Sequence, residues 1–154
     1  IHEFLKLVSK TTSREERIAL LKTYHDSKQE YARVLRFFAE CIFHPAVKFN
    51  LPEGTPPYKQ IDAPDESTAY TTLFSAFSKV KYFCFGPSMI QNNLKRETQF
   101  VALLEQLCLH EVKLMIMIKD KKIDKRVYPM IDESIFAEAF PTWFPAQDAP
   151  EAKN

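Results

Sequence analysis

The sequence predicts an all-α, single-domain bundle of about seven helices. Apolar residues recur at three- and four-residue spacing through most of the chain, and strand-like alternation is absent. The 154 residues fit one domain of ordinary size, and a hydrophobic fraction of 45% suffices for a sizeable core. Helix-start residues and prolines divide the helical pattern into separate segments, which gives the expected number of helices.

Three helices are predicted in the first third of the chain. The first is short and gathers its apolar residues on one side: Phe4, Leu5 and Val8. Ser13 and Glu16 have the spacing of a capping box, which predicts that a second helix starts there and ends near residue 24. The third helix is predicted over about 30–43, because Pro45 discourages further helix.

A long proline-rich loop is predicted over residues 44–68. It holds five prolines and Gly54, and it has no sustained periodicity. A loop of this length inside a compact domain is usually functional or packed over the surface. Phe49 and Tyr58 are expected to hold it against the core, and residues 65–68 include side chains that can cap the next helix.

Four more helices are predicted after the loop. The fourth covers about 68–85 and has one apolar face: Tyr70, Leu73, Phe74, Phe77 and Val80. The fifth starts near Asn93, the sixth follows a bend near His110, and the last spans about 131–139.

The helical domain is predicted to span residues 1–145, followed by a polar tail over 146–154. Trp143 and Phe144 lie among prolines near the end of this domain. They are either an exposed anchor or a lid on the bundle, and we expect them to dock onto their own domain.

Composition limits the class of partner and the compartment. A net charge of +1 gives no whole-molecule attraction to nucleic acid or membrane. No apolar run approaches the roughly 20 residues that cross a bilayer, and no stretch resembles a secretory signal, so no membrane partner is predicted. Cys41, Cys84 and Cys108 are odd in number and widely spaced, which predicts reduced thiols in a soluble, intracellular protein.

No catalytic or cofactor motif emerges from the sequence. Two glycines are too few for a loop that cradles phosphate. His110 and Glu111 begin an H-E-x-x-H pattern, but Leu114 replaces the second histidine, so we predict a polar surface pair. Cys41 and His44 are close enough in sequence to form a catalytic pair, yet helical spacing predicts a packing role for the thiol. We therefore expect no enzymatic activity, no metal and no cofactor.

Two basic clusters remain as candidate binding sites. Five cations and two carboxylates lie between residues 119 and 126, before the last helix, and a second cluster lies at the start of the fifth helix. Lysines beside the amides of a helix N-terminus make a common phosphate site, whereas a charge run is otherwise an ordinary solvated face. The candidate nucleic-acid contacts are Lys95, Arg96, Lys119, Lys121, Lys122, Lys125 and Arg126.

Four stretches resemble the N-terminal, all-helical DNA-binding domain of ATP-dependent DNA ligases, most nearly the short phage type. FLKLVSKTTSREERIALLKTY resembles its first helix pair, and ARVLRFFAECIFHPAVKF resembles its third helix and exit. LLEQLCLHEVKLMIMIKDKKID resembles the helix that leads to the ligase pattern Arg-Asp-Leu-Arg-Ile-Gly, and AFPTWFP resembles the closing segment. The resemblance implies a domain that wraps duplex DNA through the minor groove and phosphates.

The resemblance places residues 119–124 on that Arg-Asp-Leu-Arg-Ile-Gly pattern. Lys119 and Lys122 keep its basic character. Asp124 stands in place of the glycine of this pattern. Glycine at this position lets the protein backbone come close to the DNA, whereas a carboxylate there repels phosphate. Ligase activity is not implied, because the adenylation motif K-x-D-G needs an Asp-Gly step and the chain contains none.

The sequence is also similar to a family of small uncharacterised proteins of T4-like and marine phages. The similarity rests on L-P-x-G-x-x-P-Y at 51–58, D-A-P at 62–64 and K-R-E-T-x-F at 95–100. It implies a viral setting, in the host-cell cytoplasm or in the virion, and no particular activity.

Two functional interpretations stay open at this point. The first is a non-catalytic phage protein that binds duplex DNA, or a DNA-associated protein, through its basic turns, weakly and without sequence preference. The alternative is a virion-structural or protein-interaction module that keeps the fold without DNA contacts and binds a phage or host protein. The near-neutral charge and Asp124 favour the alternative.

Overall fold

A computed structural model describes residues 1–144, so the predicted tail over 146–154 lies outside the described residues. Within residues 1–144, seven α-helices confirm the predicted fold class: α1 (His2–Lys10), α2 (Arg14–Ser27), α3 (Gln29–Phe43), α4 (Leu73–Ala76), α5 (Asn93–Leu104), α6 (Leu109–Asp120) and α7 (Glu133–Ala139). Two 3-10 helices, Glu66–Thr68 and Phe77–Tyr82, complete the helical segments of this part of the chain.

Polar side chains fix where several helices begin. Ser13 Oγ accepts a hydrogen bond from the Glu16 amide at 3.3 Å, as predicted for the start of α2. Asn92 accepts from the Lys95 amide at 2.8 Å, and α5 begins at Asn93 as predicted. Each such cap satisfies an amide that has no partner within its helix, and it contributes about 1 kcal/mol.

Helix α3 lies at the centre of the bundle. It packs against α2, α4, α6 and α7, and α1 lies against α2 and α6. Phe38 of α3 is fully buried, with its ring centroid 6.1 Å from that of Phe136 in α7. Trp143 is also buried, and its ring stacks on that of Phe140 with the centroids 3.9 Å apart, so the expected docking onto the domain is confirmed.

The fourth predicted helix, over 68–85, is wrong as one continuous element. The backbone is extended at Thr72, and a single turn, α4, is followed by a 3-10 helix. The amides of Tyr70 and Thr71 both donate to the Gln106 carbonyl, at 3.0 and 3.1 Å, which draws this segment out of helical geometry. Tyr70 is consequently 81% exposed instead of lying on a buried face.

A stacked pair of histidines joins α1 to α6. The rings of His2 and His110 lie 3.9 Å apart, and His2 Nδ1 lies 2.7 Å from the Tyr128 hydroxyl. Burial, followed by the neighbouring His110 and Lys6, lowers the pKa of His2 from 6.5 to about 4, against a small opposing effect of Glu3. The folded protein therefore holds His2 neutral at neutral pH.

This lowered pKa predicts a loss of stability in mild acid. Unfolded His2 binds a proton as the pH falls through 6.5, whereas folded His2 does so only near 4, so its penalty develops between these two values. We expect the thermal midpoint of the wild type to fall more between pH 7 and pH 5 than that of His2→Gln. Equal slopes in the two proteins would contradict the assignment.

Candidate functional site

The predicted basic residue Arg96 is a structural residue of α5. It is 3% exposed. Its guanidinium donates to the carbonyls of Asn50 and Ile90, at 2.7 and 2.8 Å, and to Asn93 Oδ1 at 2.6 Å. These contacts tie α5 to the proline-rich loop and to the segment before the helix. Arg96 is thus buried and bonded within the protein, and its contact with a phosphate stays a prediction.

Lys119 is also buried, and it holds the proline-rich loop from the end of α6. Its side chain is 2% exposed, and its ammonium group donates to the Pro52 carbonyl at 2.7 Å and pairs with Asp120. The carboxylate of Asp120 in turn accepts from the Gly54 amide at 3.2 Å. The ammonium group of Lys119 is therefore engaged within the protein, and its contact with a phosphate stays a prediction.

Lys121 binds three backbone carbonyls where α3 ends and the proline-rich loop begins. Its ammonium group donates to Cys41, His44 and Val47, at 3.1, 2.8 and 2.7 Å. The Cys41 carbonyl is one of the last four of α3, which lack partners within the helix. Burial lowers the pKa of Lys121, but the three carbonyls supply the hydrogen bonds that its charged form needs.

The remaining predicted cations are more exposed, and most have a partner. Lys122 pairs with Glu53 in the loop, and Lys125 donates to the Ile131 carbonyl at 2.5 Å. Arg126 pairs with Asp124 at 3.1 Å, and its side chain is 91% exposed. Lys95 lies exposed on α5 beside the buried Arg96. The structure therefore does not gather the seven predicted residues into one free basic surface.

The residues held by Lys119, Asp120 and Lys122 form one wall of a groove. Residues 51–57 make this wall, and α5 makes the facing wall. The groove has a volume of about 550 Å³. Along α5 and its C-cap residue, the lining residues recur at helical spacing, opposite the stripe that faces the core: Leu94, Glu97, Thr98, Val101, Ala102 and Glu105.

The groove combines apolar walls with carboxylates. Leu94 is 75% exposed at its edge, and Phe100 is buried where α5 meets the core. Glu97 is exposed. Glu105 accepts a hydrogen bond from the Lys59 amide at 2.7 Å, which fixes the far end of the loop against α5. The hydrogen bond from Lys122 lowers the pKa of Glu53, so this carboxyl stays ionised.

A second apolar surface lies on the other side of Lys121. Phe37 of α3 stacks on Phe77 at 5.1 Å, and Phe85 is 59% exposed beside them, around a groove of about 480 Å³.

Cys41 and Cys84 line this groove and are otherwise buried. Burial raises the pKa of Cys41 to about 12 and that of Cys84 to about 11, so both thiols are protonated at neutral pH. The predicted packing role of Cys41 is confirmed by its burial.

The predicted surface pair of His110 and Glu111 is wrong for Glu111. This carboxylate is 4% exposed and accepts a hydrogen bond from the Leu73 amide at 2.9 Å. It follows the start of α6 and anchors the first turn of α4.

Within residues 1–144, no three His, Cys, Asp or Glu side chains gather into a group that could hold a metal ion. No helix in that part of the chain is long and apolar enough to cross a membrane.

Comparison with known proteins assigns the chain to a family. The profile of a family of unknown function, DUF6433, matches residues 4–125, and the chain belongs to this family. The match covers both walls of the groove and the lysines that hold the loop. No curated protein and no solved structure matches the chain.

Proposed function

We propose that this DUF6433 protein is a non-catalytic protein-binding module whose partner enters the groove between residues 51–57 and α5. The observation that carries the proposal is that the charged residues of the basic turn contact the loop and leave the groove beside it open. Lys119 and Asp120 bind Pro52 and Gly54, so their charges hold the loop in place. The facing side of α5 is left open to a partner, with Leu94 75% exposed.

The shape and chemistry of the groove support a protein partner. A volume of about 550 Å³ accommodates a few side chains of a partner segment. Apolar centres with polar rims are typical of protein interfaces. When a partner covers an exposed Leu at such a rim, burial of its apolar surface stabilises the complex. The loop wall is fixed by hydrogen bonds at Pro52, Gly54 and Lys59, so less conformational entropy is lost on binding.

The two sequence resemblances fit this proposal. The positions matched to the ligase pattern include Lys119 and Lys122, which here contact the loop, so we propose a duplex-binding ancestry in which this turn has acquired a new role. The stretches that carry the resemblance to phage proteins, 51–58 and 95–100, supply parts of both walls. We accordingly place the module in an infected host cell or a virion, with a phage or host protein as partner.

A peptide-display selection tests the proposal directly. We expect a random-peptide library to yield sequences that bind the wild type and lose most of their binding to Leu94→Asp. Leu94 lies in the first turn of α5, where a carboxylate is favoured by the helix dipole, so the substitution leaves the fold intact. Phe85→Asp, on the second apolar surface, is the matched control. Peptides that bind both variants as well as the wild type would contradict the proposal.

Binding to duplex DNA is the competing interpretation, and it makes a different prediction. Lys95 and Arg126 are exposed, whereas Arg96 and Lys119 are buried. Because the seven predicted cations do not form one free basic surface, we expect fluorescence anisotropy with a labelled duplex to show no saturable binding at moderate salt. Saturable binding that is weakened by Lys95→Glu/Arg126→Glu would restore the DNA interpretation.

A further inference from the structure

We infer that the segment bound in this groove carries basic side chains beside apolar ones, an inference that rests on the proposed function. Six charged groups line the groove or pair with groove residues. They are the carboxylates of Glu53, Glu97, Glu105 and Asp120 and the ammonium groups of Lys119 and Lys122. Four negative against two positive charges leave an excess of two carboxylates.

The positions of these charged groups determine which of them can interact with a bound partner. Lys119 is buried beneath the loop and paired with Asp120, so its charge is compensated inside the protein. Lys122 and Glu53 compensate each other in the same way at the outer edge. Among residues 1–144, Glu97 and Glu105 have no ion-pair partner, so their charges remain uncompensated in the groove. Lys59 lies two residues after Pro57 in the sequence and Lys95 follows Leu94, but neither lysine lines the groove.

The helix spacing sets the order of features that the partner must present. Leu94 and Val101 are separated by two turns of α5, about 10 Å along its axis, and Glu97 lies between them. A complementary segment places two apolar side chains about this distance apart, with a lysine or arginine between them. Glu105, one turn beyond Val101, offers a position for a second cation.

The same carboxylates disfavour the other charged macromolecules. A nucleic acid would bring its phosphates against Glu97 and Glu105, and an acidic peptide would bring its own carboxylates there. Both would lose electrostatic free energy where a basic segment gains it. The apolar walls alone would bind basic and acidic segments equally well. The net charge of the peptides that bind is therefore the quantity to measure.

The display selection described above, extended to peptide charge, tests the inference. We expect peptides that depend on Leu94 to be enriched in lysine and arginine. A synthetic peptide of the most enriched sequence should bind Glu97→Lys about tenfold more weakly than the wild type. Gln99→Lys is the matched control, because it adds a lysine to the exposed side of α5 outside the groove and should leave the affinity within about twofold.

The outcomes separate this inference from the proposed function. Leu94-dependent peptides that are neutral or acidic, or that bind Glu97→Lys as well as the wild type, would overturn the basic character of the partner while leaving the groove as a binding site. Absence of any Leu94-dependent peptide would instead overturn the proposed function itself.

Discussion

Replacing Arg96 with methionine is expected to lower the free energy of unfolding by about 3 to 5 kcal/mol. Methionine keeps much of the apolar stem but removes the guanidinium that donates to Asn50, Ile90 and Asn93. The partly buried carbonyls of Asn50 and Ile90 then lose a donor at once, and each unsatisfied carbonyl costs about 1 to 3 kcal/mol before relaxation, whereas the exposed side chain of Asn93 can bind water instead. Urea denaturation followed by circular dichroism measures the change.

The neighbouring residue supplies a matched control for this prediction. Lys95→Met makes a similar chemical change one position earlier in α5, at an exposed side chain. We expect it to change the free energy of unfolding by less than about 0.5 kcal/mol. Similar effects of the two substitutions would show that Arg96 does not have the structural role assigned to it.

Sequence periodicity could have separated Arg96 from Lys95. Arg96 precedes Phe100 by four residues and Leu103 by seven, and this spacing places it on the buried stripe of α5. The prediction treated the two residues as one basic cluster because they are adjacent in sequence. Adjacent residues on a helix point about 100° apart, so one faces the core and the other faces solvent.

The contacts of the basic turn could not have been predicted in the same way. Lys119 contacts Pro52, 67 positions earlier in the chain, and Lys121 contacts Val47, 74 positions earlier. Local spacing predicts which residues share a helix, but it carries no information on which loop lies beside that helix. The sequence therefore identified the loop over 44–68 and the basic turn as separate features, whereas the groove depends on the contact between them.

The broken fourth helix has the same physical origin. Leu73, Phe74, Phe77 and Val80 follow a helical pattern, and Leu73, Phe77 and Val80 are buried as that pattern predicts. The hydrogen bonds from Tyr70 and Thr71 to the distant Gln106 override local helical preference. The apolar pattern thus predicted burial correctly at these three positions but not at Tyr70, which is 81% exposed, and helix continuity was decided by a tertiary contact.

Replacing Lys121 with methionine is expected to lower the free energy of unfolding by about 2 to 4 kcal/mol. The Cys41, His44 and Val47 carbonyls would lose their shared donor, and the C-terminal end of α3 would lose a favourably placed positive charge. Lys122→Met is the matched control, because its side chain is 71% exposed and its ion pair lies at the surface. We expect that control to cost less than about 1 kcal/mol. Equal losses in the two variants would contradict the assignment.

The backbone of Lys121 adopts a strained conformation, so the three hydrogen bonds of its ammonium group must stabilise the fold by more than this strain costs. Lys121 ends α6 with φ of 56° and ψ of 40°, a left-handed conformation that costs a residue other than glycine about 1 kcal/mol. Lys121→Gly would remove this cost but also the three hydrogen bonds, so a net loss of stability would show that the side chain matters more than the strain. Hydrogen exchange would then locate the effect. Because Lys121 binds where α3 ends and the proline-rich loop begins, faster exchange is expected at the amides of His44 and Val47, which form hydrogen bonds there.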